Sequence, residues 1–141
     1  KEIMKKIETS CEIDVEFYDL DPMNVVWHGN YIKYLEKARC DMLEKLGYSY
    51  EDMKKDGCAY PVAKMELKFV KPVEFKQKLV VKSRIERVEP SLEIKYRIVD
   101  KNTGETVFKA KSMQIRVDIN TRESLYTAPG RFLEKIEEFC A

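Results

Sequence analysis

The period of the hydrophobic pattern changes along the chain, and its first clear segment predicts a strand. Apolar and acidic residues alternate over residues 11–17. Ile13, Val15 and Phe17 therefore share one face, which is typical of a half-buried strand.

The next segment predicts a helix. Apolar side chains recur at helical spacing and form one stripe: Tyr31, Tyr34, Leu35, Ala38, Met42, Leu43 and Leu46. We expect Asn30 to cap this helix at its start and Gly47 to end it, which gives about four to five turns at ~3.6 residues per turn. Residues 49–57 predict a further short helical turn.

The second half of the chain is dominated by alternating segments. We expect strands at residues 63–70, 78–88, 92–100 and 106–119, with tight turns at 89–91 and 101–105. Residues 128–139 predict a C-terminal helix or tail that carries Phe132, Leu133, Ile136 and Phe139. A helical stripe that faces an antiparallel meander of four strands predicts one two-layer α+β domain over residues 1–141.

Charge and composition narrow the range of partners. The 26 basic and 25 acidic residues nearly cancel, so we expect neither nucleic acid nor an anionic membrane as the main partner, while a localised phosphate-binding patch stays open. The four cysteines are scattered and the chain has one histidine, which predicts reduced thiols in a cytoplasmic protein and no metal site. Because no apolar run approaches ~18 residues, we expect no signal peptide and no membrane span.

Residues 19–31, DLDPMNVVWHGNY, connect the first strand to the helix and hold the chain's only histidine and tryptophan. Asp21 precedes a proline, which biases its backbone towards an extended geometry and fixes the direction of its carboxylate. Asp-Pro also opens many turns, so the residues alone leave Asp21 as a turn residue or a catalytic carboxylate. The helix start that follows offers free backbone N–H groups and a positive dipole, which suit an oxyanion.

A strand, then DxDPxxVVxHGNYxxYxExAR, a helix and long antiparallel strands together resemble the hotdog-fold acyl-CoA thioesterases, in particular the 4-hydroxybenzoyl-CoA thioesterase branch that includes Tol–Pal-associated enzymes. The match extends from about Cys11 to Asp118 and is carried by Asp19, Asp21, Val25, Val26, His28, Asn30, Tyr31, Tyr34, Glu36, Ala38 and Arg39. The resemblance implies a long central helix wrapped by an antiparallel sheet. It also implies hydrolysis of a small or medium acyl-CoA without a metal or organic cofactor.

The resemblance assigns roles to two residues of the connection. It implies that Asp21 is the catalytic carboxylate, acting as a nucleophile or as a general base on water. It also implies that the backbone N–H of His28 polarises the thioester carbonyl. The His28 side chain stays open between proton transfer, positioning of water or substrate, and a structural hydrogen bond.

The neighbouring residues are candidates for substrate binding. Gly29 suits a close approach of the backbone to a ligand. Asn30 would orient the site besides capping the helix, and Tyr31, like Tyr34, is a core or pocket-wall residue. Trp27 would line the acyl channel or pack over the helix start.

The sequence departs from the family pattern just after Asp21. Met23 and Asn24 stand where small residues are common in the family, which predicts a narrowed or reshaped pocket.

The sequence pattern is less specific about the roles of the other charged residues. Glu36 is an alternative acid, since a helix glutamate is catalytic in another hotdog branch, but its spacing to Arg39 also fits an exposed ion pair. We expect Asp19 to be solvated. Candidates for holding the CoA phosphates are Lys64, Lys68, Lys71, Arg84 and Arg87, each of which is by itself an ordinary surface charge.

The expected assembly is a homodimer or homotetramer, because the predicted strands are long and leave an edge or a face for pairing. By resemblance, the pantetheine arm of the substrate would run between subunits. Three other readings remain open: a hotdog dehydratase or hydratase, a non-catalytic module that binds an acyl thioester or an acyl carrier protein, and a cystatin-like domain. A cystatin-like domain gives no reason for an Asp-Pro turn ahead of the helix.

Overall fold

The computed structural model describes the backbone of residues 2–141 and the side chains of residues 7–141. Five long strands form one antiparallel sheet, and they are β1 (Glu2–Asp14), β3 (Val62–Phe69), β4 (Lys78–Arg87), β5 (Leu92–Asp100) and β6 (Thr106–Gln114). Their order across the sheet is β1-β4-β5-β6-β3. A long helix, α1 (Asn30–Leu46), packs on one face against β1 and β4. This two-layer arrangement confirms the predicted α+β class.

The core lies between α1 and the inner face of the sheet. Every member of the predicted helical stripe is buried there. The sheet contributes alternate residues to the same cluster, including Leu79, Val81, Ile85, Ile94 and Ile98. The left-handed backbone of Gly47, with φ 83°, ends α1 as predicted.

Two short helices and a small second sheet complete the fold. The helices are α2 (Tyr50–Lys55) and α3 (Gly130–Cys140), and the small sheet consists of β2 (Cys58–Ala59), β7 (Arg116–Asp118) and β8 (Ser124–Leu125). Tyr48, which follows α1, stacks on Phe132 of α3 with ring centroids 4.8 Å apart. Both helices were expected from the sequence. Phe132 and Ile136 of α3 are buried, whereas Phe139 is partly exposed.

The strand predicted over residues 106–119 is interrupted. β6 ends at Gln114, and the chain then leaves the large sheet to pair with β2 through β7. Pro61 precedes β3 and has no N–H to donate, so the ladder between β3 and β6 stops there. The Gln114 amide instead donates to the Tyr60 carbonyl at 2.6 Å.

The first strand and the meander also differ from expectation. β1 ends at Asp14, and Phe17 is 72% exposed because the chain turns into a short 3-10 segment, Phe17–Asp19. β3 pairs with β6 rather than with β4, so the meander contains three strands and β3 forms an edge. Consequently only Met65 and Leu67 of β3 are even half-buried.

Candidate active site

Asp19 holds the start of the connection against α1. Its Oδ2 accepts hydrogen bonds from the Glu16 N–H at 2.9 Å and from the Tyr34 hydroxyl at 2.8 Å. Its backbone carbonyl accepts from the Trp27 N–H at 2.9 Å and from the Asn30 side-chain amide at 2.8 Å. Asp19 is 9% exposed, so the expectation of a solvated residue was wrong. The Glu-x-x-Asp spacing of a capping box was the signal for this burial.

Asn30 is therefore not the helix cap. The helix begins at Asn30 itself, Gly29 occupies the capping position, and no side chain caps this end. The Asn30 side chain is buried, and its amide donates a hydrogen bond to the Asp19 carbonyl. This agrees with an orienting role for Asn30, because its bond ties the first helical residue to the start of the connection.

Asp21 lies at the tip of a small hairpin. Its N–H donates to the Val25 carbonyl at 2.8 Å, and its carbonyl accepts from the Asn24 N–H at 3.0 Å. Asn24 has φ 63°, the left-handed conformation that closes a three-residue hairpin loop. The Asp21 Oδ1 accepts from the Met23 N–H at 2.8 Å, while Oδ2 accepts no hydrogen bond from the described residues. One carboxylate oxygen thus stabilises the turn, and the other is available to a ligand.

Tyr31, in the first turn of α1, interacts electrostatically with Asp21. Burial raises the pKa of the Tyr31 phenol, and the negative charge of Asp21 raises it further.

The backbone at the helix start has unpartnered donors. The Asn30 N–H donates to the Trp27 carbonyl at 2.9 Å, but the N–H groups of His28 and Gly29 donate to no acceptor among the described residues. The imidazole of His28 is exposed and lies beside the Trp27 ring, with centroids 5.0 Å apart. These N–H groups lie at the positive end of the α1 dipole, so they form a suitable site for an oxyanion.

Trp27 explains why residue 29 is a glycine. A Cβ atom at Gly29 would overlap the six-membered ring of the Trp27 indole. The indole therefore packs over the helix start, and it stays about half exposed. This position is compatible with both predicted roles of Trp27, lining an acyl channel and packing over the helix start.

Aromatic rings form a wall next to the helix start. Tyr31 stacks on Phe108 with centroids 4.5 Å apart, and its ring meets the edge of Phe69 at 5.3 Å. Tyr34 is held by Asp19, and both burial and this hydrogen bond raise its pKa. Both phenols therefore stay protonated at neutral pH.

Glu36 does not lie in this constellation. Its side chain is 58% exposed and pairs with Arg39 at 3.6 Å. Arg39 itself is buried, which its charged side chain did not predict, and its guanidinium donates to the hydroxyls of Tyr50 at 2.8 Å and Tyr96 at 3.4 Å.

The five candidate cations for a CoA phosphate do not form one cluster beside the candidate site. Lys64 and Lys68 lie on edge strand β3, whereas Arg84 and Arg87 lie on β4, which β5 and β6 separate from β3. Lys71 is paired with Glu105 at 2.8 Å, and Arg84 with Glu86 at 2.7 Å.

Neither a metal-binding cluster nor a membrane-spanning helix occurs among the residues that the structure describes. They contain no group of three or more His, Cys, Asp or Glu side chains that could hold a metal ion. None of their helices is long and apolar enough to cross a membrane.

Comparisons with known proteins find acyl thioesterases among the relatives of this chain. A Bacillus subtilis relative named "Putative acyl-CoA thioesterase YneP" is 32% identical over 107 residues, which cover 76% of this chain and 78% of the relative. A chloroplastic acyl-acyl carrier protein thioesterase, ATL3 of Arabidopsis thaliana, is 32% identical over 74 residues, covering 52% of this chain and 39% of that one. The crystal structure of a DHNA-CoA thioesterase from Staphylococcus aureus superposes with a TM-score of 0.82 at 28% identity, covering 94% of this chain and 88% of that chain.

The same comparisons confirm the predicted fold, since the solved thioesterase and this chain share one sheet wrapped around a central helix. They do not single out the Tol–Pal-associated branch. The family model of the thioesterase-like superfamily matches residues 15–138, which include the whole connection, α1 and the sheet from β3 onwards. The chain belongs to the thioesterase-like superfamily of hotdog-fold proteins.

Proposed function

We propose that this protein is an acyl thioesterase that hydrolyses the thioester of an acyl-CoA, or of an acyl carrier protein, to the free acid and the thiol. One observation carries the proposal. The Asp21 carboxylate keeps one oxygen without a hydrogen bond among the described residues, and the N–H groups of His28 and Gly29, seven and eight residues later at the start of α1, likewise have no partner there. A carboxylate and an oxyanion donor at one site are what thioester hydrolysis needs.

The reaction follows from these two groups. The thioester carbonyl oxygen accepts a hydrogen bond from the His28 or Gly29 N–H, which stabilises the negative charge that develops there. Asp21 either takes a proton from a water molecule, whose oxygen attacks the carbonyl carbon, or attacks that carbon itself and forms an anhydride that water then opens. In both routes the C–S bond breaks, the thiolate leaves and takes up a proton, and the acid is released.

The acyl group would lie against the aromatic wall. Tyr31 and Phe108 are buried behind its surface, and the exposed rings of Phe69 and Trp27 supply the accessible part. Met23 is 80% exposed at the tip of the hairpin, so it stands at the mouth of the site and does not fill it. Its side chain would contact the part of the acyl group nearest the solvent.

The working unit is proposed to be a homodimer formed through the edge strand β3. One side of β3 pairs with β6, and the other side is open. The open edge carries exposed apolar side chains, with Val62 44% and Phe69 52% exposed, which is unusual for an unpaired edge of a monomer. Because Phe69 also contacts Tyr31, such a dimer would place a second subunit beside the site.

A non-catalytic binding module is the second candidate. The bond from the Met23 N–H to the Asp21 Oδ1 is one that a purely structural turn aspartate also makes. A dehydratase is less favoured, because the exposed His28 ring makes no hydrogen bond with an acidic side chain among the described residues.

Thiol release from a panel of acyl-CoAs, short and long, aliphatic and aryl, tests the proposal. The variant Asp21→Asn removes the charge with little change in size, so we expect turnover to vanish while ligand binding persists. Asp14→Asn, at an exposed position at the end of β1, is the matched control and should retain turnover. Wild-type turnover in Asp21→Asn would refute the mechanism, and binding without release by the wild type would favour the binding module.

A further inference from the structure

Basic side chains form an ordered array on the outer face of the large sheet, opposite α1. Lys82, Arg97 and Lys109 occupy directly paired positions on β4, β5 and β6, and Lys68 extends this row onto β3. A second row, two residues along, consists of Arg84, Lys95 and Lys111, and it continues as Glu8 on β1 and Glu66 on β3. These seven residues, Lys68, Lys82, Arg84, Lys95, Arg97, Lys109 and Lys111, are called the basic array below.

The array faces away from the core because the residues between its members face inwards. Ser83, Tyr96 and Ala110 alternate with the array along the three central strands and are buried. An open groove of about 410 Å³ runs over this face, and its lining includes Lys82, Arg84, Lys95, Arg97 and Lys109, with Glu8 at its margin.

Carboxylates border the array without pairing most of its members. Among the described side chains, Arg84 pairs with Glu86 at 2.7 Å and approaches Glu8 at 3.9 Å. Glu66 stands opposite Lys111 on β3, but no other member of the array forms an ion pair with a described side chain. Like charges directly opposite each other on neighbouring strands destabilise a sheet. The array concentrates seven cations on one face of a protein whose net charge is only +1.

The dimensions of the array indicate a large anionic partner. Neighbouring strands lie ~4.8 Å apart, so the four residues of the first row span about 14 Å, and the two rows are about 7 Å apart. Carboxylates three or four residues apart on a helix are about 5–6 Å from each other, which lies between these two spacings. A single nucleotide would occupy only part of such a surface.

The array also lies directly behind the candidate active site. Lys68 precedes Phe69 and Lys109 follows Phe108, and both of these rings contact Tyr31 on the inner face.

The outer face offers no aromatic ring next to the array on the central strands. The neighbouring residues there are Val80, Val99, Thr106, Glu93 and Met113. Because a base would have no ring on which to stack, a single-stranded nucleic acid is disfavoured as the partner.

We propose that the basic array is a docking surface for an acidic protein that carries the acyl thioester, so that the carrier binds on the outer face while its acyl arm reaches the site around the strand ends at Phe69 and Val107. This inference rests on the proposed thioesterase function and selects between the two carriers that the site alone leaves open. Electrostatic attraction of this kind acts mainly on the rate of association and weakens with salt.

The test compares three substrates that differ only in the carrier: a decanoyl acyl carrier protein, decanoyl-CoA and decanoyl-pantetheine. In Lys82→Glu/Lys109→Glu, we expect kcat/KM for the protein-bound substrate to fall by about tenfold or more at low salt, within the range of electrostatic steering. Both small substrates should keep kcat/KM within about twofold of the wild type, because their hydrolysis needs no docking on the outer face. Lys82→Gln/Lys109→Gln should give a smaller loss in the same direction, and thermal unfolding checks that each variant is folded.

Lys37→Glu/Lys54→Glu is the matched control, since it reverses two exposed charges on α1 and α2. It should leave all three rates close to those of the wild type. Equal losses for decanoyl-CoA and the carrier protein would overturn the proposal, as would unchanged rates for all three substrates. Binding of the variants and wild type to vesicles rich in phosphatidylglycerol, with no binding of the carrier protein, would overturn it in favour of a membrane.

Direct binding separates this inference from the proposed function. Fluorescence anisotropy of a labelled holo acyl carrier protein measures docking without turnover. If no thioester is hydrolysed but the carrier binds the wild type and not the Lys82→Glu/Lys109→Glu variant, the proposed function fails and the docking surface stands. If thioesters are hydrolysed but the carrier binds both proteins equally, only the docking surface fails.

Discussion

The Tyr34 hydroxyl donates a hydrogen bond of 2.8 Å to the Asp19 Oδ2, and this contact joins the second turn of α1 to the start of the connection. Both groups are buried, and the same carboxylate oxygen also accepts the Glu16 N–H. The bond therefore fixes the connection at one end, while the Asn30 amide fixes it through the Asp19 carbonyl.

Removing this bond should loosen the site. Tyr34→Phe leaves a buried carboxylate with one fewer donor, so we expect a loss of about 1–3 kcal/mol in the free energy of unfolding and a lower kcat for thiol release. Urea unfolding and steady-state kinetics measure the two effects. Tyr18→Phe, at a side chain that is 81% exposed, is the control and should change neither. An unaltered stability of Tyr34→Phe would show that the bond does not hold the connection.

Gly29→Ala should disrupt the helix start because the new Cβ overlaps the Trp27 ring. We expect kcat/KM to drop and the melting temperature to fall. In the double variant Trp27→Ala/Gly29→Ala, the ring is absent and stability should recover relative to Gly29→Ala alone. If the second change gives no recovery, the need for glycine has another origin.

Two substitutions at His28 separate the role of its backbone N–H from that of its side chain. If the N–H is the oxyanion donor, His28→Ala should keep most of its activity, whereas His28→Pro, which has no N–H, should lose about 10²–10³ in kcat. Circular dichroism must show that His28→Pro retains its helix content. A loss in His28→Ala as large as that in His28→Pro would instead assign proton transfer or positioning to the imidazole.

Stability should decline in strong alkali because several buried tyrosines have raised pKa values. Burial and the bond to Asp19 raise the pKa of Tyr34, and burial and a bond to Asp56 raise that of Tyr48, both from the ordinary value of 10.0. The unfolded chain loses these protons first, so the stabilisation is complete below about pH 10 and is lost as the pH rises further. Urea unfolding between neutral and alkaline pH should show this slope, reduced in Tyr48→Phe and unchanged in Tyr126→Phe, whose side chain is exposed.

The proposed dimer predicts a dependence on the β3 edge. Val62→Lys places a charge on the open edge, and sedimentation velocity should show a shift towards monomer together with a loss of activity. Ile119→Lys is matched in exposure, 43% against 44%, and lies away from this edge, so its assembly should be that of the wild type. Identical sedimentation of the two variants would place the interface elsewhere.

Local patterns were sufficient to predict the elements that bury a face. The stripe along α1, the alternation in β4 and β5 and the glycine at the end of α1 each reflect a short-range preference, and each is confirmed. The Asp-Pro connection with its histidine likewise identified the candidate site, although the roles of its residues stay proposals. These features depend on residues within about two turns of one another, where sequence spacing determines which side chains share a face.

The tertiary structure alone decided the features that depend on distant partners. The strand over residues 106–119 divides because its neighbour changes from β3 to β2, and the connection buries Asp19 because Tyr34, 15 residues later, supplies a donor. The seven cations of the basic array are spread over more than forty residues of sequence, and each of them resembles an ordinary surface charge. They form rows only because strand order and register bring β3, β4, β5 and β6 side by side, and register is set by the whole sheet rather than by any one strand.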